Sequence, residues 1–186
     1  MKALAMKLVR GKVVVVGDAA VGKSAITQMF HSNNQRFPKQ YNMTCGVEFG
    51  VKLVPVAEKT GHCELHVFDS GGQDVFEDMM PRYWGGASAV LVVYDATRQH
   101  TFDAASARLQ LVLEALGKES LPGAIVANKM DLHERLVVPR QAGLRLAEQT
   151  GLHFFETSAY DGEGVEEPFK HIATELFNAD GKAAIY

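Results

Sequence analysis

The feature that most constrains this chain is a run of four valines, Val13-Val14-Val15-Val16, ending abruptly in Gly17-Asp18-Ala19-Ala20-Val21-Gly22-Lys23-Ser24. A short unbroken apolar run stopped by glycine is the pattern of a strand buried on both faces, and such strands belong to parallel sheets covered by helices. The segment after it has the spacing G-x-x-x-x-G-K-S, and helical periodicity resumes from Lys23 to His31. A loop between strand and helix can turn its backbone N–H groups inward around a phosphate. Its glycines supply permissive dihedrals and keep side chains out of the concavity. Lys23 is then placed to reach the β- and γ-phosphates and the Ser24 hydroxyl to ligate Mg²⁺, while the helix N-terminus adds partial positive charge. The motif predicts a nucleotide held by Ala19, Ala20, Val21, Gly22, Lys23, Ser24 and Ala25.

The rest of the chain alternates in the same way. Val47 to Val56 and Cys63 to Phe68 are strand-like, with a hairpin turn between them over residues 57–61. Ala89 to Tyr94 and Ala124 to Ala127 are further buried strands. Helices are expected over Asp103 to Leu116, Pro139 to Thr150 and Val165 to Phe177. The pattern predicts one α/β domain over residues 1–186, with helices on both faces of a mostly parallel sheet and one antiparallel edge. Composition agrees: 186 residues, 47% apolar and 22% charged, suit a single core and argue against disorder. No apolar run approaches the roughly 20 residues of a membrane span, and none has signal-peptide form. A net charge of −3 offers no global field for nucleic acid. Cys45 and Cys63 both fall in strand-like segments and are expected to be buried small hydrophobes of a soluble intracellular, cytoplasmic protein.

Two later segments add chemistry to the phosphate loop. Asp69 closes the run Leu65-His66-Val67-Phe68, where a carboxylate can hold Mg²⁺. Gly72 behind it would let a backbone N–H approach a γ-phosphate, and Gln73 is placed to orient an attacking water. Asn128-Lys129-Met130-Asp131 follows the strand that ends at Ala127. The Asp131 carboxylate can accept from the N1–H and exocyclic amine of guanine together, whereas adenine would leave it unpaired. Asn128 can tie this loop to the phosphate loop, and the Lys129 stem can cover a base face. The ligand predicted is GTP or GDP.

In order along the chain, the phosphate loop, Thr44-Cys45-Gly46-Val47-Glu48-Phe49, Asp69 to Gln73, Asn128 to Asp131 and Glu156-Thr157-Ser158-Ala159 resemble the motifs of a Ras-superfamily small GTPase of the Rab type. Tyr94-Asp95-Ala96-Thr97 with Thr101-Phe102 is similar to Rab proteins as well. The resemblance implies a six-stranded small G-protein fold of the phosphate-loop NTPase class, and GTP hydrolysis in which Gln73 and Lys23 are catalytic. It implies Mg²⁺ held by Ser24, Thr44 and Asp69, with Thr44 also sensing the γ-phosphate. Phe37 would pack against guanine, Tyr41 would lie over the phosphates, and Ser158, Ala159 and Tyr160 would complete the base pocket. Phe49, Phe68 and Tyr83 would form an aromatic effector surface.

Several positions depart from that pattern. The segment ending in Ala183-Ala184-Ile185-Tyr186 carries no prenylation cysteine, and Lys2 rather than glycine follows Met1, so no direct lipid anchor is expected. Ala19 and Ala20 stand where these proteins usually keep smaller residues, which would crowd an incoming arginine finger and slow hydrolysis. Gly71 replaces the usual alanine and Phe68 the usual tryptophan. These departures, with Phe68-Asp69-Ser70, Cys63-Glu64-Leu65 and Glu167-Pro168-Phe169, are similar to the Rab-like branch that serves intraflagellar transport. That implies a small β-sandwich transport subunit as partner in a larger complex, and a ciliary or flagellar location. The expected partner surfaces are Val75, Phe76, Met79, Met80, Tyr83 and Trp84, and the Val165 to Phe177 helix. The core is the competing place for Met79, Met80, Tyr83 and Trp84. Among seven histidines, His62 and His66 have helical ligand spacing but lie on a predicted strand, where four residues span about 13 Å. His153 is expected at a strand end.

Overall fold

A computed structural model describes residues 7–40, 42–56, 61–72 and 78–183, with residues 181–183 described as backbone only. Six strands form one sheet in the order β2-β3-β1-β4-β5-β6. They are β1 (Lys7–Val16), β2 (Val47–Val56), β3 (Gly61–Ser70), β4 (Ala89–Asp95), β5 (Gly123–Asn128) and β6 (His153–Glu156). All neighbours run parallel except β2, which pairs antiparallel with β3 from Val47 opposite Ser70 to Val56 opposite Gly61. Pro55 is tolerated in β2 because that strand is the sheet edge. The turn predicted between β2 and β3 falls largely on residues 57–60, outside the described residues.

The valine run does what its pattern demands. Val13 and Val15 face one core with Leu65, Val67 and Leu91, while Val14 and Val16 face a second with Val90, Val92 and Ile125. Helices α1 (Lys23–His31) and α6 (Glu166–Ala183) cover the first face. The second is covered by α2 (Met80–Trp84), α4 (Ala105–Leu116) and α5 (Arg140–Thr150), with α3 (Gln99–Asp103) leading into α4. Because the strands are parallel, the loops after β1, β4 and β5 leave the sheet at the same end. Among the described residues no helix is long and apolar enough to cross a membrane.

Several expectations need correction. The helix predicted from Asp103 to Leu116 is two helices, and it begins earlier because Thr101 Oγ1 bridges the end of β4, accepting from the Asp95 N–H and donating to the Arg98 carbonyl. Pro139 precedes α5 as its N-cap in an extended conformation. α6 runs past Phe177 to Ala183, and in its last turns Asp180 pairs with Lys7 of β1 at 2.7 Å. Cys63 is buried, which pushes its thiol up to about 11, but Cys45 is exposed in the loop before β2.

The predicted partner surface divides. Met79 and Tyr83 are exposed, whereas Met80 and Trp84 are core residues. Trp84 donates its indole N–H to Ser70 Oγ at 3.0 Å, so α2 is fastened to the end of β3. Val75 and Phe76 lie outside the described residues. The apolar face of α6 is spent on the sheet, with Phe169, Ile172 and Ala173 fully buried. In the effector trio Phe49 is 59% exposed, and its ring lies 4.9 Å from that of Phe68, which packs on the second core.

Phe169 stacks on Phe30 with centroids 3.9 Å apart and joins α6 to α1 through the first core. Phe169→Ala is expected to lower unfolding stability by about 3–5 kcal/mol, read by denaturant titration at saturating nucleotide. A loss below 1 kcal/mol would show that this contact does not hold the helices together.

Candidate functional site: a phosphate and guanine pocket

The phosphate loop is shaped by close backbone approach. Gly17 has φ 144° and Gly22 φ 101°, and a Cβ at either would lie 2.1 Å from the Val93 carbonyl oxygen or 2.2 Å from Asn128 Nδ2. Ala20 adopts φ 61°, a left-handed value that costs an alanine about 1 kcal/mol, which is why a glycine is at home there. Lys23 is buried, and its ammonium donates to the carbonyls of Gly17 and Asp18 at 2.9 and 2.8 Å. Burial lowers its pKa to about 8, with the neighbouring Arg108 pushing the same way and Asp69 and Asp18 opposing. Gly72 passes so close that a Cβ would sit 2.5 Å from Lys23 Nζ.

Three oxygen donors converge at the start of α1. Ser24 Oγ lies 2.8 Å from Thr44 Oγ1 and also donates to Asp69 Oδ2. Asp69 Oδ1 is buried and has no hydrogen-bond partner among the described residues. Burial raises the Asp69 pKa to about 6 against the hydrogen bond from Ser24 and the charge of Lys23. A cluster of two hydroxyls and a carboxylate with one oxygen unsatisfied has the all-oxygen chemistry that Mg²⁺ takes.

The base end is organised by Asn128, the last residue of β5. Its buried amide donates to the Val21 carbonyl at 2.9 Å, and its Oδ1 accepts from Thr157 Oγ1 at 3.1 Å and the Ala159 N–H at 3.2 Å. Asp131 Oδ1 accepts from Ser158 Oγ at 2.9 Å, which fixes the carboxylate's direction. Lys129 has φ 69° and reaches across to the Ala20 carbonyl at 2.9 Å and Asp95 at 2.7 Å. Phe37 and Tyr160 meet edge to face at 5.3 Å on the rim.

These groups enclose one cleft of about 900 Å³ that reaches from Lys23, Ser24 and Gly72 to Asn128, Asp131 and Tyr160. Ala19, Ala20, Gly22, Ala25, Phe37, Thr44, Lys129 and Ala159 also line it. Val21 and Ser158 are outside the lining: the Val21 carbonyl accepts a hydrogen bond from Asn128, and Ser158 Oγ donates one to Asp131. Tyr41 and Gln73 lie outside the described residues.

Three positioning residues escaped the sequence reading. Asp95 at the end of β4 is buried and holds Arg98 Nε at 2.8 Å as well as Lys129. Burial alone would raise its pKa, but hydrogen bonds from Lys129 and Thr97 win and keep it below the usual carboxylate range. Arg98 reaches the Ala19 carbonyl at 3.3 Å, and Arg108 of α4 pairs with Asp18 at 3.0 Å. Their one sequence signal was the Tyr94-Asp95-Ala96-Thr97 segment.

The Ras family profile matches residues 12–178 and so spans both halves of the cleft. The chain belongs to the Ras family. Guanine-nucleotide binding and GTP hydrolysis are the family's chemistry. Within the family the chain is 37% identical over 166 residues to the mouse "Intraflagellar transport protein 27 homolog", covering 89% of each. The homolog of that name in Trypanosoma brucei brucei is 38% identical over 170 residues, 91% of each chain. "Intraflagellar transport protein 27" of Chlamydomonas reinhardtii is 35% identical over 182 residues, 95% of this chain and 89% of that protein.

The raised pKa of Asp69 fixes the sign of a pH effect on this Ras-family site. As pH falls through about 6 the carboxyl takes up a proton that competes with a cation. In the nucleotide-bound protein, Mg²⁺ affinity should fall by up to about tenfold per pH unit below 6 beyond the decline seen in Asp69→Asn. Titration of Mg²⁺ at pH 5 to 8 checks this, and parallel curves for wild type and variant would remove Asp69 from the metal site.

Proposed function

We propose that this chain is a slow, Rab-like GTP-hydrolysing switch that acts as a subunit of the intraflagellar transport machinery in the cytoplasm and the cilium or flagellum. The observation that carries the proposal is identity of 35–38% across 89–95% of the chain to proteins named for intraflagellar transport. The whole of residues 1–186 is read as one G domain. Its partner is a small β-sandwich subunit of the transport complex, and the exposed Phe49, Met79 and Tyr83 are candidate contacts.

The proposed chemistry is positioning and electrostatics. Backbone N–H groups of the phosphate loop and the Lys23 ammonium stabilise charge on the β- and γ-phosphates of GTP. Ser24, Thr44 and Asp69 would hold Mg²⁺, which would supply positive charge to offset that of the phosphates. Gln73 orients the attacking water, and the Gly72 N–H and Thr44 report the γ-phosphate to the segments on either side. At the base, Asp131 pairs with guanine, Lys129 covers one face and Phe37 and Tyr160 close the rim, with Tyr41 over the phosphates. Stimulated turnover is low because Ala19 and Ala20 crowd an arginine finger offered by an activating protein.

Single-turnover hydrolysis of GTP should be slow but measurable in the wild type and at least about tenfold slower in Gln73→Leu. Equal, negligible rates in the two would instead make the chain a GTP/GDP-binding structural subunit. Purification from flagellated cells should recover the protein in a soluble, stoichiometric assembly with transport subunits. Recovery mainly with vesicles would favour a trafficking Rab.

A further inference from the structure

At the end of the sheet opposite the nucleotide cleft, three side chains with metal-ligating atoms come together. His153 opens β6 opposite Ala124, near the beginning of β5 rather than its loop-bearing end. His171 and Glu175 are one turn apart on α6, a spacing that puts both on one helix face. The rings of His153 and His171 have centroids 3.9 Å apart. Glu175 faces both of them, with Oε2 at 3.3 Å from His171 Nε2 and Oε1 at 4.0 Å from His153 Nε2. Among the described residues this is the one such cluster, and one ligand atom from each member lies within 4.8 Å of the other two.

Two of these atoms are served only by a long ion pair. His171 Nε2 and Glu175 Oε2 are buried and lie 3.3 Å apart without the geometry of a hydrogen bond. Desolvated polar atoms left in this way are costly, and a cation between them would satisfy both. Phe155 packs against the His171 ring at 5.6 Å and limits its freedom.

We propose that His153, His171 and Glu175 form a binding site for a divalent transition-metal ion, with Zn²⁺ the best match. Two imidazole nitrogens and one carboxylate oxygen are a borderline donor set that suits Zn²⁺, Co²⁺ or Ni²⁺. The set discriminates against Mg²⁺ and Ca²⁺, which take oxygen ligands, so it is chemically distinct from the Ser24, Thr44 and Asp69 cluster. Tetrahedral ligands around zinc stand about 3.5 Å apart, so the trio must contract by roughly 1 Å. His153 is the member free to turn inward, since its side chain is 58% exposed. Three protein ligands leave a fourth position toward solvent for water or a donor from another molecule. Bound metal would cross-link the edge strand β6 to α6. Sequence spacing hides this site, because one ligand lies 18 residues before the H-x-x-x-E pair.

The test uses the full chain loaded with Mg²⁺ and GDP, cleared of other metals and titrated with Zn²⁺ by calorimetry in excess Mg²⁺. One equivalent is expected to bind, with affinity lowered about tenfold or more in His153→Ala and in His171→Gln and unchanged in the control His66→Ala. Zn²⁺ should raise the melting temperature of the wild type but not of His153→Ala, and Co²⁺ should give the visible bands of a four-coordinate nitrogen and oxygen site. His153 is exposed enough that its variant will fold. Zn²⁺ binding unchanged in His153→Ala, or the absence of a saturable equivalent in the wild type, would overturn the assignment.

Discussion

The buried side chain of Asn128 is the interaction on which the cleft depends. One amide holds the Val21 carbonyl of the phosphate loop, while its oxygen takes hydrogen bonds from Thr157 and the Ala159 backbone. Three loops that come from β1, β5 and β6 are thereby locked to one another at a point with no access to water. A second buried group, Asp95, repeats the device one strand over by gathering Arg98 and Lys129, each of which reaches back to the phosphate loop. Low local dielectric strengthens such networks when every member is satisfied, and it makes removal of any one member expensive. The shape of the pocket is therefore held by side chains at or just after strand ends, some of which, Asn128 and Lys129, also line it.

Strain is stored where those loops converge. Ala20 and Lys129 both adopt left-handed backbone conformations, and they are joined by the hydrogen bond from Lys129 Nζ to the Ala20 carbonyl. The hydrogen bonds around Asn128 and Asp95 hold that geometry in place. Gly72 adds a steric limit, since any side chain there would collide with Lys23 and the Asp18 backbone. The oxygen cluster at Ser24, Thr44 and Asp69 and the nitrogen-rich cluster at His153, His171 and Glu175 lie at opposite ends of the sheet. Their donor atoms suit a hard and a borderline cation respectively.

What was legible in the sequence was chemistry written in contiguous residues. In Gly17 to Ser24 and Asn128 to Asp131 the spacing is itself the geometry, because a tight loop fixes where each side chain points. The buried strands were legible for a related reason, as a chain covered on both faces has no polar positions to confuse its period. Contacts that depend on strand order were not legible. Arg108 meets Asp18 only because β1 and β4 are neighbours, and His153 meets His171 only because α6 crosses the sheet face as far as the edge strand β6. Cys45 was misplaced because its apolar surroundings in sequence belong to a loop that precedes β2. Met80 and Trp84 went to the core while Met79 and Tyr83 did not, a division decided by the Trp84 bond to Ser70 that no periodicity encodes.

The strand order has a consequence for how the protein is made. β1 is synthesised before β3 and β4, yet it lies between them. Its valines find their first sheet partner only when residues 61–70 have emerged, and the core on one of its faces is completed only by α6. β1 is thus shielded only long after it is synthesised. Pairings of such long sequence separation are slow to form and leave apolar surface open meanwhile. Acquisition of structure is expected to be a late, nearly all-or-none event, and nascent chains of this protein are natural clients for chaperones that hold exposed β-forming segments.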